Sequence, residues 1–285
     1  MYQLDNGMLK VTVLDPVADR ARLGTRYCTG GYIFEVVDPR YGNVMSGPTY
    51  PDSFNTFDGQ GIPDAFNLGP LYPFTGPVAR RGPQRHREAL DTQALILGIG
   101  ICDLAADTVT TWCQWDVSQA ETQLEFKTHH SFRGYEIDLE RRVSLMGRTV
   151  RSATRVVNHG IPCAVRWFPH PFYPQPPAGQ DALCKLNLDV HIAENPGYTL
   201  GPDGFIQRKT PPTRAGYYLP LDHEAHSNLV VLQRHPQLGL VAATTSYVPD
   251  FFPIWGNDRT FSWEPFLERT LAPRQDLSWW IDYDF

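Results

Sequence analysis

Cysteine is scarce in this chain and badly spaced for either of its usual structural roles. Five are present (Cys28, Cys102, Cys113, Cys163, Cys184), an odd set with no C-x-x-C spacing. Neither a disulfide framework nor a zinc ribbon is indicated, and buried, reduced thiols are expected. No run of about 18 apolar residues occurs, and the opening MYQLDNGMLK lacks a basic region followed by an apolar stretch. A membrane-spanning helix and a secretion signal are therefore not predicted, and a cytoplasmic protein with no membrane partner is the expectation. Basic stripes are missing too: the net charge of -6 is mild and spread out, which argues against nucleic acid as a partner. Helical periodicity is likewise absent. No segment carries a helical moment over about 12 residues, and Ala105-Ala106 and 118–121 offer single turns at most.

Turn chemistry and β-forming side chains are plentiful instead. The 23 glycines and 25 prolines, with 12% aromatic and only 20% charged residues, suit many short strands joined by turns. Residues 8–14, MLKVTVL, alternate with period two after the turn pair Asn6-Gly7, the pattern of a half-buried strand. In 26–37, RYCTGGYIFEVV, a glycine pair precedes an apolar strand. No further glycine or Lys-Ser/Thr follows on a helix start, so Gly30-Gly31 reads as a kink or bulge rather than a phosphate loop. Three strand-like runs fill 92–135, and 135–145 and 149–157 alternate on either side of a Gly147 turn. Further strands are predicted at 186–193 and 216–221, in a hairpin about His235-Pro236, and at the carboxyl end. A length of 285 residues without a flexible linker or internal repeat is compatible with one large antiparallel β-domain over residues 1–285. The segment 47–83 is crowded with Gly, Pro, Asp and Asn. Its aromatics Tyr50, Phe54, Phe57, Phe66, Tyr72 and Phe74 predict an ordered loop packed on the body as one wall of a functional site.

The segment 155–173, RVVNHGIPCAVRWFPHPFY, reads as a strand, a turn at Asn158-His159-Gly160, a second strand, and a histidine bracketed by Pro169 and Pro171. Proline donates nothing to a ladder and restricts the residue before it, so strand pairing should fail near His170 and leave the imidazole at a sheet margin, suited to proton transfer. Asp222, in LPLDHEA, is a second candidate, able to bind a ligand hydroxyl or hold an imidazole. Glu264, in FSWEPFLE, is a third: Trp263 and Pro265 give its carboxyl an aromatic, partly dry setting that would raise its pKa. Each has a plainer alternative, a core histidine satisfied by a carbonyl, a solvated turn aspartate, a structural glutamate. Adjacent His129 and His130 on a strand face opposite ways, and His223 and His226 lack the close spacing of a metal site, so no metal or other cofactor is indicated. Trp255, Trp263, Tyr173 and Phe172 could stack on a ring, although aromatic residues are more often core.

The order of these motifs, a strand with N-x-G, then H-P-F-[FY], L-D-H, W-E-P-F and a terminal W-x-x-x-Y-x-F, preceded by G-G-Y-I-F-E-V-V-D-x-x-x-G-N-V-M-S-G, resembles a divergent member of the aldose 1-epimerase (galactose mutarotase-like) family over nearly the whole chain. The resemblance implies an all-β fold, a large antiparallel β-sandwich or supersandwich, with a sugar cleft on one face. It implies His170 as the general acid on the pyranose ring oxygen, Glu264 as the base on the anomeric hydroxyl, and Asp222 as a ligand of sugar hydroxyls; of the aromatic residues, Tyr173 and Trp263 are taken as candidates for the substrate-binding surface. No metal, nucleotide or covalent intermediate is called for, and the partner is a small-molecule sugar. The family's second histidine, in an N-x-L-H-G segment, is missing here, where the chain reads FTGPVARRGPQRHRE. Either Arg80, Arg81 or His86 takes over substrate binding or nothing does, and arginine there would suit a phosphorylated or acidic sugar. Two other readings remain: a non-catalytic carbohydrate-binding protein, and a glycoside-cleaving enzyme with Asp222 and Glu264 about 5 to 10 Å apart.

Overall fold

The computed structural model describes residues 1–20, 23–47, 59–67 and 92–285. Among these, every helix or strand is a strand, and the strands pair antiparallel. The largest sheet has ten strands, in the order Tyr198–Leu200, Phe205–Arg208, Ala182–Leu186, Val230–His235, Gly239–Thr245, Asp276–Asp284, Thr149–Asn158, Tyr135–Met146, Gln123–Phe132 and Asp116–Ala120. Its long central strands alternate between buried and open positions, as the period of two in the sequence requires of a sheet with one face on a core. Leu124, Phe126, Leu139, Val143, Val150 and Ile281 on that face are at most 1% exposed. Each such side chain contributes about 1.5–3 kcal/mol of burial.

Smaller sheets pack on this face and share its core. Val11 and Val36, Leu95 and Cys102, Val165 and Trp167, and Ile254 and Trp263 come from four of them and join one continuous apolar cluster with the ten-stranded sheet. A second, smaller cluster holds Tyr27, Tyr32, Ala65, Phe168, Phe172 and Phe266, with Phe34, Phe251 and Trp255 at its margin. The Cys163–Pro169 strand divides the two: Trp167 belongs to the main core and Phe168 to the second cluster. Pairing of this strand with Leu267–Leu271 on one side and Asp64–Phe66 on the other makes it the spine on which the candidate site is built.

The segment expected to be irregular over 47–83 contains that Asp64–Phe66 strand, a difference from the sequence reading. Gly, Pro and Asp around it masked a three-residue strand whose partner lies far along the chain, at Trp167 to Pro169. Tyr50, Phe54, Phe57, Tyr72 and Phe74, and with them most of the expected wall, lie outside the described residues. At Gly30-Gly31 the backbone turns into the Ile33–Asp38 strand. Gly31 has φ +76°, and a Cβ on Gly30 would stand 2.4 Å from the Trp115 ring, so close approach of the indole decides the residue type. All five cysteines are free and buried.

Candidate functional site

His170 follows the last residue of the Cys163–Pro169 strand. Pro169 pairs with Asp64, and beyond it the backbone stays tied: His170 N donates to Pro63 O (2.8 Å), Phe172 N to Gly61 O (2.8 Å), and Ser46 N to Phe172 O (2.7 Å). The regular strand thus ends where the prolines predict, while the ladder-like bonding continues to a neighbouring loop. Alternation sends Phe168, His170 and Phe172 to one side, into the smaller aromatic cluster. The imidazole stacks on Phe172 (ring centroids 4.4 Å, planes 15° apart) and meets the edges of Trp255 at 5.7 Å and Tyr27 at 6.3 Å. It is 4% exposed, deeper than the sheet margin expected for it.

Glu264 leaves the Thr260–Trp263 strand at its end. Its N–H donates to Pro253 O at 2.9 Å, and Tyr247 donates its hydroxyl to the carbonyl of the next residue, Pro265, at 2.8 Å. Because successive side chains alternate, Trp263 turns into the main core and Glu264 turns the other way, to place Oε1 3.2 Å from His170 Nε2. The carboxyl is 6% exposed.

Burial acts on the two partners in opposite directions. It pushes the Glu264 carboxyl up to about 8, with the Arg26 guanidinium opposing the shift. It holds the His170 imidazole well below its ordinary value, and the Arg26 charge drives it further down. Each charged form is disfavoured by desolvation, so burial favours the neutral carboxyl beside the neutral imidazole, one titratable proton for the pair. The other ring nitrogen, Nδ1, is buried with no hydrogen-bond partner among the described residues. A buried ring nitrogen without a partner is an unmet hydrogen-bonding group beside the carboxyl.

The remaining predicted residues lie elsewhere. Asp222 is exposed on the short Asp222–Glu224 strand, opposite His191. It lines a surface cleft of about 400 Å³ with Lys185, His191 and His223, and neither His170 nor Glu264 contributes to that cleft. The structure thus places Asp222 in that cleft: alternation along the strand turns Asp222 and Glu224 outward and His223 inward, edge-on to Phe252 at 6.0 Å. Tyr173 and Trp263 are corrected as binding surface. They are 1% and 0% exposed in the main core, where Trp263 stacks on Tyr283 at 6.0 Å and lies 6.0 Å from Tyr173. In both cases the neighbour in sequence, Phe172 or Glu264, takes the site side. Arg80, Arg81 and His86 fall outside the described residues. His129 and His130 do face opposite ways, the first open and the second 3% exposed, accepting from Gly98 N at 3.0 Å.

Sequence reasoning missed Arg26 and Tyr27. Arg26 lies over the Tyr27 ring at 5.2 Å, Tyr27 meets His170 edge-on, and the guanidinium charge reaches both members of the dyad. The signal was an arginine beside an aromatic residue just before a glycine turn. It was absorbed into the run leading to the Ile33–Asp38 strand, because a single charge next to apolar residues reads as a strand end.

No protein-family model matches this chain, and no curated sequence matches it. Solved structures do. One, of a galactose mutarotase related enzyme from Lactobacillus acidophilus, aligns with a TM-score of 0.63 at 13% identity over 99% of this chain and 96% of that one. A candidate aldose 1-epimerase from Escherichia coli K12 aligns at 0.57 with 15% identity, covering 99% and 97%. A galactose mutarotase-like protein from Clostridium acetobutylicum aligns at 0.57 with 12% identity, covering 99% and 93%. Coverage of this extent shows the fold: the chain is built as a galactose mutarotase-like antiparallel β-sandwich, and at such identity the likeness extends no further than the fold.

Proposed function

We propose that the protein is an aldose 1-epimerase, interconverting the α and β anomers of an aldohexose or a related sugar. One observation carries the reading: a buried carboxyl and a buried imidazole 3.2 Å apart, the imidazole packed among aromatic rings. Ring opening of a cyclic hemiacetal needs a proton removed from the anomeric hydroxyl and another delivered to the ring oxygen, two atoms of one sugar about 2–3 Å apart, and an adjacent acid and base can serve both.

Moving the shared proton from Glu264 to His170 Nε2 creates a carboxylate beside an imidazolium. Glu264 then accepts the anomeric O–H proton while Nδ1–H of His170 donates to the ring oxygen. The bond from C1 to the ring oxygen breaks, and the open aldehyde leaves a neutral imidazole and a protonated carboxyl, the same proton count as before. Rotation about C1–C2 and the reverse transfers close the ring with either configuration. No net proton enters or leaves, so one dyad in one protonation state completes the cycle.

Trp255, half-buried at the edge of the imidazole, supports the sugar reading as a surface for the apolar face of a pyranose. The five free, buried cysteines support a reducing, cytoplasmic setting. The test is anomeric exchange measured by proton NMR magnetisation transfer on glucose, galactose and their 6-phosphates. Faster exchange for at least one of them is expected. Binding without acceleration, seen as quenching of tryptophan fluorescence, would shift the reading to a carbohydrate-binding protein.

A further inference from the structure

We propose that the buried ion pair between Asp64 and Arg141 is a positioning device for the dyad, fixing the register of the Asp64–Phe66 strand beneath His170. The importance of that register rests on the reading of His170 and Glu264 as the reacting pair.

Arg141 projects from the buried face of the Tyr135–Met146 strand and is 1% exposed; Asp64 is 2% exposed. The guanidinium pairs with the Asp64 carboxylate and donates to Thr154 Oγ1 and, at 3.0 Å, to Ser152 Oγ. The ten-stranded sheet thereby grips a three-residue strand through one charged side chain. That strand and the residues leading into it hold the backbone around His170: Pro63 O accepts from His170 N and Gly61 O from Phe172 N, while Asp64 O accepts from Cys28 N at 2.9 Å. Cys28 lies two residues from Arg26 and one from Tyr27, so the same strand also places the residues whose charge and ring edge face the dyad.

Hydrophobic pattern alone specifies this register weakly. Phe66, edge-on to Trp279 at 6.3 Å, is the one large apolar side chain of the strand, and Ala65 offers little shape. A slip by one residue would put Pro63 or Ala65 over Arg141 and leave a cation unpaired in the core, among the heaviest penalties a protein interior can impose. An ion pair in a dry core stabilises no better than an apolar pair of equal volume, because desolvation offsets the attraction. Its consequence here is specificity of position: the dyad distance is set by a strand that can sit in one place only.

The test replaces the pair as a unit, with Asp64→Leu/Arg141→Met, and reads two properties without substrate. Native-state hydrogen exchange is expected to speed by at least about tenfold at the His170 and Phe172 amides, while the pairing of Cys163–Pro169 with Leu267–Leu271 keeps its protection. In nitrogen-15 NMR the His170 titration is expected to move up toward its ordinary range by about one pH unit or more. Asp64→Asn/Arg141→Gln, which keeps polar side chains at both positions without the charges, is read the same way should the apolar pair not fold. Unchanged protection and titration in a folded variant would overturn the proposal, and so would failure of both variants to fold, since the pair would then be a plain requirement for stability. Neither readout uses catalysis, so a failure of the epimerase reading leaves this result standing.

Discussion

Replacing Glu264 by Gln should change how stability depends on pH in a way that isolates the shared proton. In the unfolded chain the carboxyl titrates near its ordinary 4.5 and the imidazole near 6.5, so between those values the unfolded pair binds one proton. The folded pair also binds one there, and the dyad makes stability flat over that range. Above 6.5 the unfolded chain gives its proton up, whereas the folded dyad keeps it until about 8. The folded state then binds more protons, and stability must fall as pH rises. The loss is the separation of those two values, roughly 1.5 units, or about 2 kcal/mol. Below 4.5 the unfolded pair binds two protons and the folded pair one, so stability falls there too. In Glu264→Gln only His170 remains. Its depressed folded value makes stability rise with pH up to 6.5 and stay level above it. Urea unfolding at intervals from about pH 6 to about pH 9 on both proteins gives the difference, in which every other titrating group cancels. Wild type should lose about 2 kcal/mol across that range while the variant gains a little below pH 6.5 and then stays level. Parallel curves would refute the shared proton, and with it the premise that burial, rather than ion pairing, sets the state of the dyad.

Other outcomes follow from the same geometry. On a substrate for which the protein speeds anomeric exchange, the rate should hold through neutrality and fall as pH rises through about 8, where the dyad loses its proton; a rate still climbing above that pH in a pH–rate profile would contradict it. Trp263→Ala should destabilise the fold by about 3–5 kcal/mol in chemical denaturation, because the indole is core and stacks on Tyr283. Asp222→Ala, on an exposed strand outside the dyad, should leave both the anomeric exchange rate and the unfolding midpoint within experimental error, and a rate loss of about tenfold would return Asp222 to the site.

The strand-end positions of His170 and Glu264 were legible in the sequence because proline marks both. Pro169 and Pro171 end the strand at His170, and Pro265 ends one at Glu264, so each polar side chain falls at a strand end where the backbone can turn it out of the main core. The all-β architecture was legible from alternation in long strands such as 135–145, since one buried face imposes period two. The face of a residue next to a strand end was not. Tyr173 and Trp263 are one position from Phe172 and Glu264, and a single step of the pleat separates site from core. Asp222 shows the same limit: an L-D-H tripeptide fixes neither which way a three-residue strand turns nor what lies beneath it. The Asp64–Phe66 strand and its Arg141 partner escaped because their pairing is long-range, and a charged residue between Pro63 and Ala65 has no local reason to be buried.

The most direct test is polarimetry of freshly dissolved α-anomers, including the 6-phosphates, with wild type, Glu264→Gln and His170→Asn. Wild type should speed equilibration of at least one sugar, and both variants should fall to the spontaneous rate while remaining folded. Acceleration that survives in either variant would contradict a reaction run by this carboxyl–imidazole pair.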